Sequence, residues 1–209
     1  MQWRLLVRRN PLKSFTIVGD VAQASAAAGA SSWAEALRPH VGDAWRLEEL
    51  TVNYRTPAQV VAVAESMALA HGVQVTQSRS VREGDWPVQI DVVGELAAGV
   101  LAAVRSDLAE VPGTIAVIAS ESSLPAVYPA LAAELGADVG LGAAGLMRRV
   151  AVLAPQEAKG LEFDAVVVAE PQRIVDEIPR GAAALYVAMT RPTQRLHLVS
   201  TGALPAGIR

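Results

Sequence analysis

Four stretches of the chain place charged or polar side chains where a phosphorylated ligand could be gripped. In Leu185-Tyr-Val-Ala-Met-Thr-Arg-Pro-Thr-Gln-Arg-Leu196 an apolar helix runs into Arg191. Pro192 stops it there, because the residue before a proline disfavours α geometry. A guanidinium presented rigidly at such a tip can stabilise charge on a transferring phosphoryl group. In Leu50-Thr-Val-Asn-Tyr-Arg-Thr-Pro57, Tyr54 and Arg55 stand just ahead of a helix. Arginine grips phosphate bidentately and tyrosine stacks on a base. In Ala158-Lys-Gly-Leu-Glu-Phe-Asp164, Lys159, Glu162 and Asp164 share one loop between two strands, offering a cation to a phosphate and a carboxylate to a ribose hydroxyl. Gly19-Asp-Val-Ala-Gln23 puts Asp20 and Gln23 after a short apolar run, where an acid and an amide can orient water or a phosphate oxygen. Each stretch has an ordinary alternative. Arg191 can be a plain surface arginine, Tyr54 can pack on its helix with Arg55 paired to Glu48 or Glu49, and the other two can be simple turns.

The elements that must carry these residues alternate. The pattern predicts a helix ending near Arg9, a short buried strand over 15–18, a small-residue loop over 24–32, a helical turn or two over 33–37 and a strand over 46–50. A helix then starts at Thr56-Pro57, with Thr56 and Gln59 as a capping-box-like pair, Val60, Val63, Met67 and Ala70 on its apolar face, and Gly72 at its end. The polar segment 77–86 reads as an exposed loop. Strands over 88–93, 114–119, 150–154, 165–169 and 195–200 alternate with helices over 95–110, 122–135 and 181–190. The runs Ile-Ala-Val-Ile and Ala-Val-Val-Val read as strands buried on both faces. The fold class is therefore α/β, a mainly parallel sheet covered by helices, with ligands expected at the carboxyl ends of its strands.

Composition narrows the function classes. Half the residues are apolar and aromatics are scarce, which suits helices on a parallel sheet better than a β-sandwich. The chain has no cysteine, so disulfides and thiolate metal sites drop out, and a reducing, cytoplasmic setting is expected. No run approaches the ~20 apolar residues of a membrane span. The net charge of −3 and the absence of a basic stripe argue against tight nucleic-acid binding by this chain alone. Gly140-Leu-Gly-Ala-Ala-Gly145 matches G-x-G-x-x-G, but a helix precedes it and a strand follows, the reverse of a dinucleotide fingerprint, so it reads as an αβ loop. His40, His71 and His197 have no metal-like spacing and read as structural; no metal site is expected.

Taken in order, GDVAQ, L-x-x-NYRTP, AKGLEFDAVVV and LYVAMTRPTQRL resemble the later motifs of UvrD/Rep-like superfamily-one helicases. The wording of GDVAQ and PQEAKGLEFD is most similar to the HelD branch, the RNA-polymerase-recycling ATPases also described as DNA helicase IV-like. The resemblance implies RecA-like architecture. Residues 1–49 would be the C-terminal remnant of a first RecA-like domain, and 50–209 the second. It implies ATP and Mg2+ as cofactors, with Gln23 sensing the γ-phosphate beside Asp20, Tyr54 stacking on adenine and Arg55 reaching the γ-phosphate. Glu162 would bond the ribose, Lys159 would belong to the loop coupling nucleotide state to the track, and Arg191 would be the second arginine on the γ-phosphate. The implied partners are single-stranded DNA, RNA polymerase or both, together with the first RecA-like domain.

Two departures qualify this. The aromatic that follows the glutamine in DNA-stepping relatives is replaced by Ala24-Ser25-Ala26, with Trp33 the nearest substitute, and the Thr-x-His before AKGLE is replaced by Ala154-Pro155-Gln156. There is also no G-x-x-x-x-G-K-[ST] loop and no magnesium motif of the D-E-x-Q type, so the chain is expected to be the C-terminal portion of a longer protein and not to hydrolyse ATP by itself. Two further functions fit parts of the pattern: a docking module for RNA polymerase without a motor, and a Rossmann-type oxidoreductase resting on the glycine string alone.

Overall fold

The computed structural model describes residues 2–10, 12, 14–20 and 32–209. In chain order the elements are α1 Gln2–Arg9, α2 Trp33–Val41, β1 Val52–Asn53, α3 Ala58–Ala70, β2 Arg79–Ser80, β3 Gln89–Val92, α4 Leu96–Glu110, β4 Ile115–Ala119 and α5 Leu124–Leu135. A 3-10 turn, Gly136–Asp138, leads to β5 Val139–Leu141 and α6 Gly142–Gly145, followed by β6 Val150–Leu153, β7 Phe163–Ala169, α7 Pro171–Glu177, α8 Gly181–Met189 and β8 Pro192–Ser200.

Six strands form one sheet in the order β3-β8-β7-β4-β6-β5. Every neighbouring pair runs parallel, so each connection must cross over one face of the sheet. This is the helix-covered α/β architecture the alternating pattern predicts. The apolar strands serve both faces. Ala116 and Ile118 of β4, Val166 and Val168 of β7, and Leu196 and Leu198 of β8 pack with α3, α7 and α8. Ile115 and Val117 of β4, and Ala165 and Val167 of β7, pack with α4 and α5 on the other side. Glu95 starts α4 by accepting from the Ala97 and Ala98 backbone N–H groups at 2.9 and 2.6 Å.

Several local expectations are corrected. Residues 15–18 form no strand among the described residues; Val18 is 89% exposed, and an apolar run without a neighbouring edge has no ladder to join. Residues 46–50 are likewise outside any sheet, with Leu50 exposed. The segment 77–86 is more than a loop, because β2 lies within it and pairs in parallel with β1. The Thr56–Gln59 capping pair does not form: Thr56 is fully buried, with its hydroxyl 3.5 Å from the Thr190 carbonyl, and Gln59 donates to the carbonyls of Gly84 and Trp86 at 2.9 and 2.7 Å. Tertiary partners outcompete the local cap.

Gly140-Leu-Gly-Ala-Ala-Gly145 folds as β5 and the single turn α6. Its first and last glycines touch: a Cβ on Gly140 would stand 2.5 Å from the Gly145 Cα. Close backbone approach accounts for these two glycines, and the left-handed φ of 60° for Gly142 between them.

Candidate functional site

The site grows from a side-chain turn. Asn53 Oδ1 accepts from the backbone N–H groups of Arg55 and Thr56 at 2.9 and 3.1 Å, holding the two residues that lead into α3. Ser80 of β2 supports it by donating to the Thr56 carbonyl at 2.7 Å. Arg55 so held reaches across the molecule. Its Nη1 meets Glu162 Oε1 at 2.7 Å and its Nη2 donates to the Thr190 carbonyl at 3.4 Å, while its buried Nε has no partner among the described residues. Tyr54 beside it is 75% exposed.

Glu162 closes the loop that enters β7, and Arg191 immediately precedes β8. The loop turns at Gly160, whose φ of 81° lies in the left-handed region, and Lys159 is exposed on it. Phe163 pairs with Pro192, and the Phe163 N–H donates to the Arg191 carbonyl at 3.2 Å. Arg55, Glu162 and Arg191 therefore assemble at the amino ends of β7 and β8. This corrects the expectation of a site at the carboxyl ends of the strands. Those ends carry instead a shallow acidic cleft, lined by Glu121, Ser122, Gln156, Glu177, Ile178 and Pro179.

Arg191 is not an exposed tip. It is 2% exposed, its Nε donates to the Val187 carbonyl at 2.9 Å, its Nη1 to the Leu161 carbonyl at 3.3 Å and its Nη2 to Thr190 Oγ1 at 3.3 Å. Three of its five N–H donors are used among the described residues, leaving two. Burial lowers its pKa, the nearby Arg55 guanidinium lowers it further, and the Glu162 carboxylate acts against both. Tyr186, one turn earlier, is pushed up to about 12, chiefly by burial and then by Asp20 and Glu65. Asp20 thus lies within electrostatic reach of Tyr186 and Arg191. Gln23 and the small-residue stretch after it lie outside the described residues. Trp33 is half-buried near Gly19, where a Cβ would meet its ring at 3.1 Å.

Two sequence expectations resolve differently. Asp164 leaves the Lys159 loop for β7, where its carboxylate accepts from the Thr114 N–H at 2.8 Å and from Gln194 Nε2 at 2.9 Å. Arg55 pairs with neither Glu48 nor Glu49; Glu48 meets Arg46, and Glu49 accepts from Thr76 at 2.7 Å.

A polar cluster on the opposite face escaped the sequence reading. Asp107 of α4, fully buried, lies 3.2 Å from Arg195 Nε and 3.4 Å from His197 Nε2, and the Arg195 guanidinium sits 5.4 Å from the Trp86 ring centroid. Burial raises the Asp107 carboxyl to about 6, with Arg195 acting against it. Burial and Arg195 lower His197 to about 4. The signal was present as two polar residues at i and i+2 on a strand otherwise buried.

Two neighbouring guanidiniums, with the buried Arg55 Nε unpaired and two Arg191 N–H groups uncommitted among the described residues, fit an anion such as a nucleotide phosphate. The described residues do not fit a magnesium ion, since no three His, Asp or Glu side chains stand together.

No curated protein matches the chain. Among solved structures, the C-terminal domain of a possible DNA helicase from Lactobacillus plantarum WCFS1 is similar, with a TM-score of 0.56 and 27% identity over 75% of this chain and 92% of that one. The family model for the viral superfamily 1 RNA helicase core domain matches residues 2–200, which is nearly the whole length, and the chain belongs to that superfamily 1 helicase core family.

Proposed function

We propose that the chain is the C-terminal motor portion of an ATP-dependent helicase or translocase of UvrD/HelD type. Residues 1–49 would end the first RecA-like domain, and 50–209 would form the second. The observation that carries this reading is the meeting of Arg55, Glu162 and Arg191, drawn from three motifs far apart in the chain. Arg55 Nε and the two uncommitted Arg191 N–H groups are donors available to phosphate oxygens. Glu162 offers a carboxylate to a ribose hydroxyl, and exposed Tyr54 offers a ring face to adenine. ATP, when bound, supplies the phosphoanhydride bond whose hydrolysis powers movement. Arg55 and Arg191 belong to one domain of a two-domain cleft, so their charge reaches the phosphates only as the cleft closes, which ties turnover to motion. Asp20 and Gln23 would face them from the first domain, and Lys159 would relay nucleotide state to the track.

A second reading, a docking module for RNA polymerase without DNA unwinding, is favoured by the net charge of −3 and by the acidic cleft with Glu121 and Glu177 at the carboxyl ends of the strands. The two readings part on steady-state ATPase activity of the protein extended upstream, measured alone, with single-stranded DNA and with RNA polymerase. Stimulation by DNA is expected for a translocase. Turnover that answers only to RNA polymerase supports the HelD-type recycling ATPase. Arg55→Ala and Arg191→Ala should each lower turnover on the order of 10³-fold. Full activity in either variant, or no turnover under any condition, would remove the motor reading.

A further inference from the structure

The two arginines share a neighbour that none of the motif roles covers. Thr190 ends α8 with φ −95° and ψ 10°, a sparsely populated backbone region where active-site residues recur, and it is 7% exposed. Its hydroxyl proton is directed back at α8, shared between the Tyr186 and Val187 carbonyls at 2.9 and 3.1 Å. The same oxygen accepts from Arg191 Nη2 at 3.3 Å. Its carbonyl points the other way, toward Arg55 Nη2 at 3.4 Å and the Thr56 hydroxyl at 3.5 Å. One residue thus meets both guanidiniums, one through its side chain and one through its main chain.

We infer that Thr190 is the positioning residue that sets the two guanidiniums relative to each other. The hydroxyl does this in two ways. It anchors Nη2 of Arg191, whose Nε and Nη1 are held by the Val187 and Leu161 carbonyls at 2.9 and 3.3 Å, so the guanidinium plane is fixed at three points. By capping the last turn of α8 it also fixes the direction of the Thr190 carbonyl, which Arg55 uses. Like-charged groups held together repel, and burial lowers the Arg191 pKa, so the pair needs a rigid mount to stay in register. Serine would retain the hydroxyl. Valine matches threonine in shape and lacks the oxygen, so it removes the anchor while filling the same space. The consequence for a bound nucleotide rests on the function proposed above; the effect on the guanidiniums does not.

The test uses the 209-residue chain with Thr190→Val, Thr190→Ala and Thr190→Ser. The first readout is NMR of the Arg191 side chain, where an Nη2 held by the Thr190 oxygen has hydrogens that exchange slowly with solvent. Slow Nη2 exchange is expected in wild type and in Thr190→Ser, and exchange at least roughly tenfold faster in both Thr190→Val and Thr190→Ala, the scale of one hydrogen bond to a charged group; if one of the latter fails to fold, the other decides. Slow Nη2 exchange in a folded variant lacking the hydroxyl overturns the assignment. The second readout is the dissociation constant for ATP of the protein extended upstream, expected to rise roughly tenfold in Thr190→Val and little in Thr190→Ser, the scale of one hydrogen bond to a charged group. If that protein binds no ATP while the Nη signals respond as expected, the nucleotide reading falls and the positioning role stands.

Discussion

Arg55 and Glu162, 107 positions apart in the chain, meet at 2.7 Å at the amino edge of the sheet, although the Arg55 side chain is 35% exposed and that of Glu162 53%. A half-exposed ion pair contributes little to stability, about 0–1 kcal/mol. Glu162→Ala should therefore lower the unfolding free energy from urea melts by no more than that amount. A loss above about 2 kcal/mol would mean that the pair holds the fold together and is not simply two ligand-binding groups in contact.

The Asp107–Arg195 pair behaves oppositely, because both partners are buried. Arg195→Met should destabilise the chain by about 3 kcal/mol at pH 7, since it leaves the buried Asp107 carboxyl without a counter-charge, so that it must stay ionised unpaired or take up a proton, and strips the cation from Trp86. At pH 5 the penalty should shrink, because Asp107 can take up a proton. An equal penalty at both pH values would count against this assignment of charge.

The cluster also sets a pH dependence of its own. Asp107 has a folded pKa raised to about 6, so its contribution to stability is full below about 4 and is lost as pH rises through about 6. His197 has a folded pKa lowered to about 4, so its contribution is present above about 6.5 and is lost as pH falls through about 4. The two oppose each other across the window between. In Asp107→Asn only the His197 dependence remains, and stability should fall from pH 6.5 to pH 4 more steeply than in wild type, by roughly 1–3 kcal/mol. Parallel urea-melt profiles for the two proteins would refute the coupling.

Gly140→Ala tests the contact inside the glycine string. Its new Cβ would press on backbone at Gly145 that cannot move away as a side chain could, which costs about 1–3 kcal/mol. Gly202→Ala, with open space around it, should stay within about 0.5 kcal/mol. Equal melting temperatures for the two variants would show that the close approach is not required.

What could be read from the sequence tracks how local its cause is. The strands β4 and β7 announce themselves as unbroken apolar runs, because burial on both faces leaves no room for alternation. β5 and α6 do not, since Gly140 and Gly145 are chosen for a contact between backbones and carry no hydrophobic signal. Arg191 shows the same limit within one residue. Its place before Pro192 marks the helix end, but its burial depends on the Leu161 carbonyl, supplied by a loop 30 positions upstream. The Thr56–Gln59 pair was plausible as a cap and lost to partners on β2 and beyond. Asp107 gave no warning, because a single acid in an amphipathic helix ordinarily faces water.

The pairing of Phe163 with Pro192 divides the site mechanically. Glu162 and Arg191 hang from two adjacent strands stitched into the middle of a six-stranded sheet, so the spacing between them is as stiff as the sheet itself. Arg55 reaches them from the entry to α3, a helix packed on α8 and on the apolar face of the sheet without being hydrogen-bonded into it. One half of the site is an anvil, and the other is laid against it through a single guanidinium, which rests on the Glu162 carboxylate and the Thr190 carbonyl.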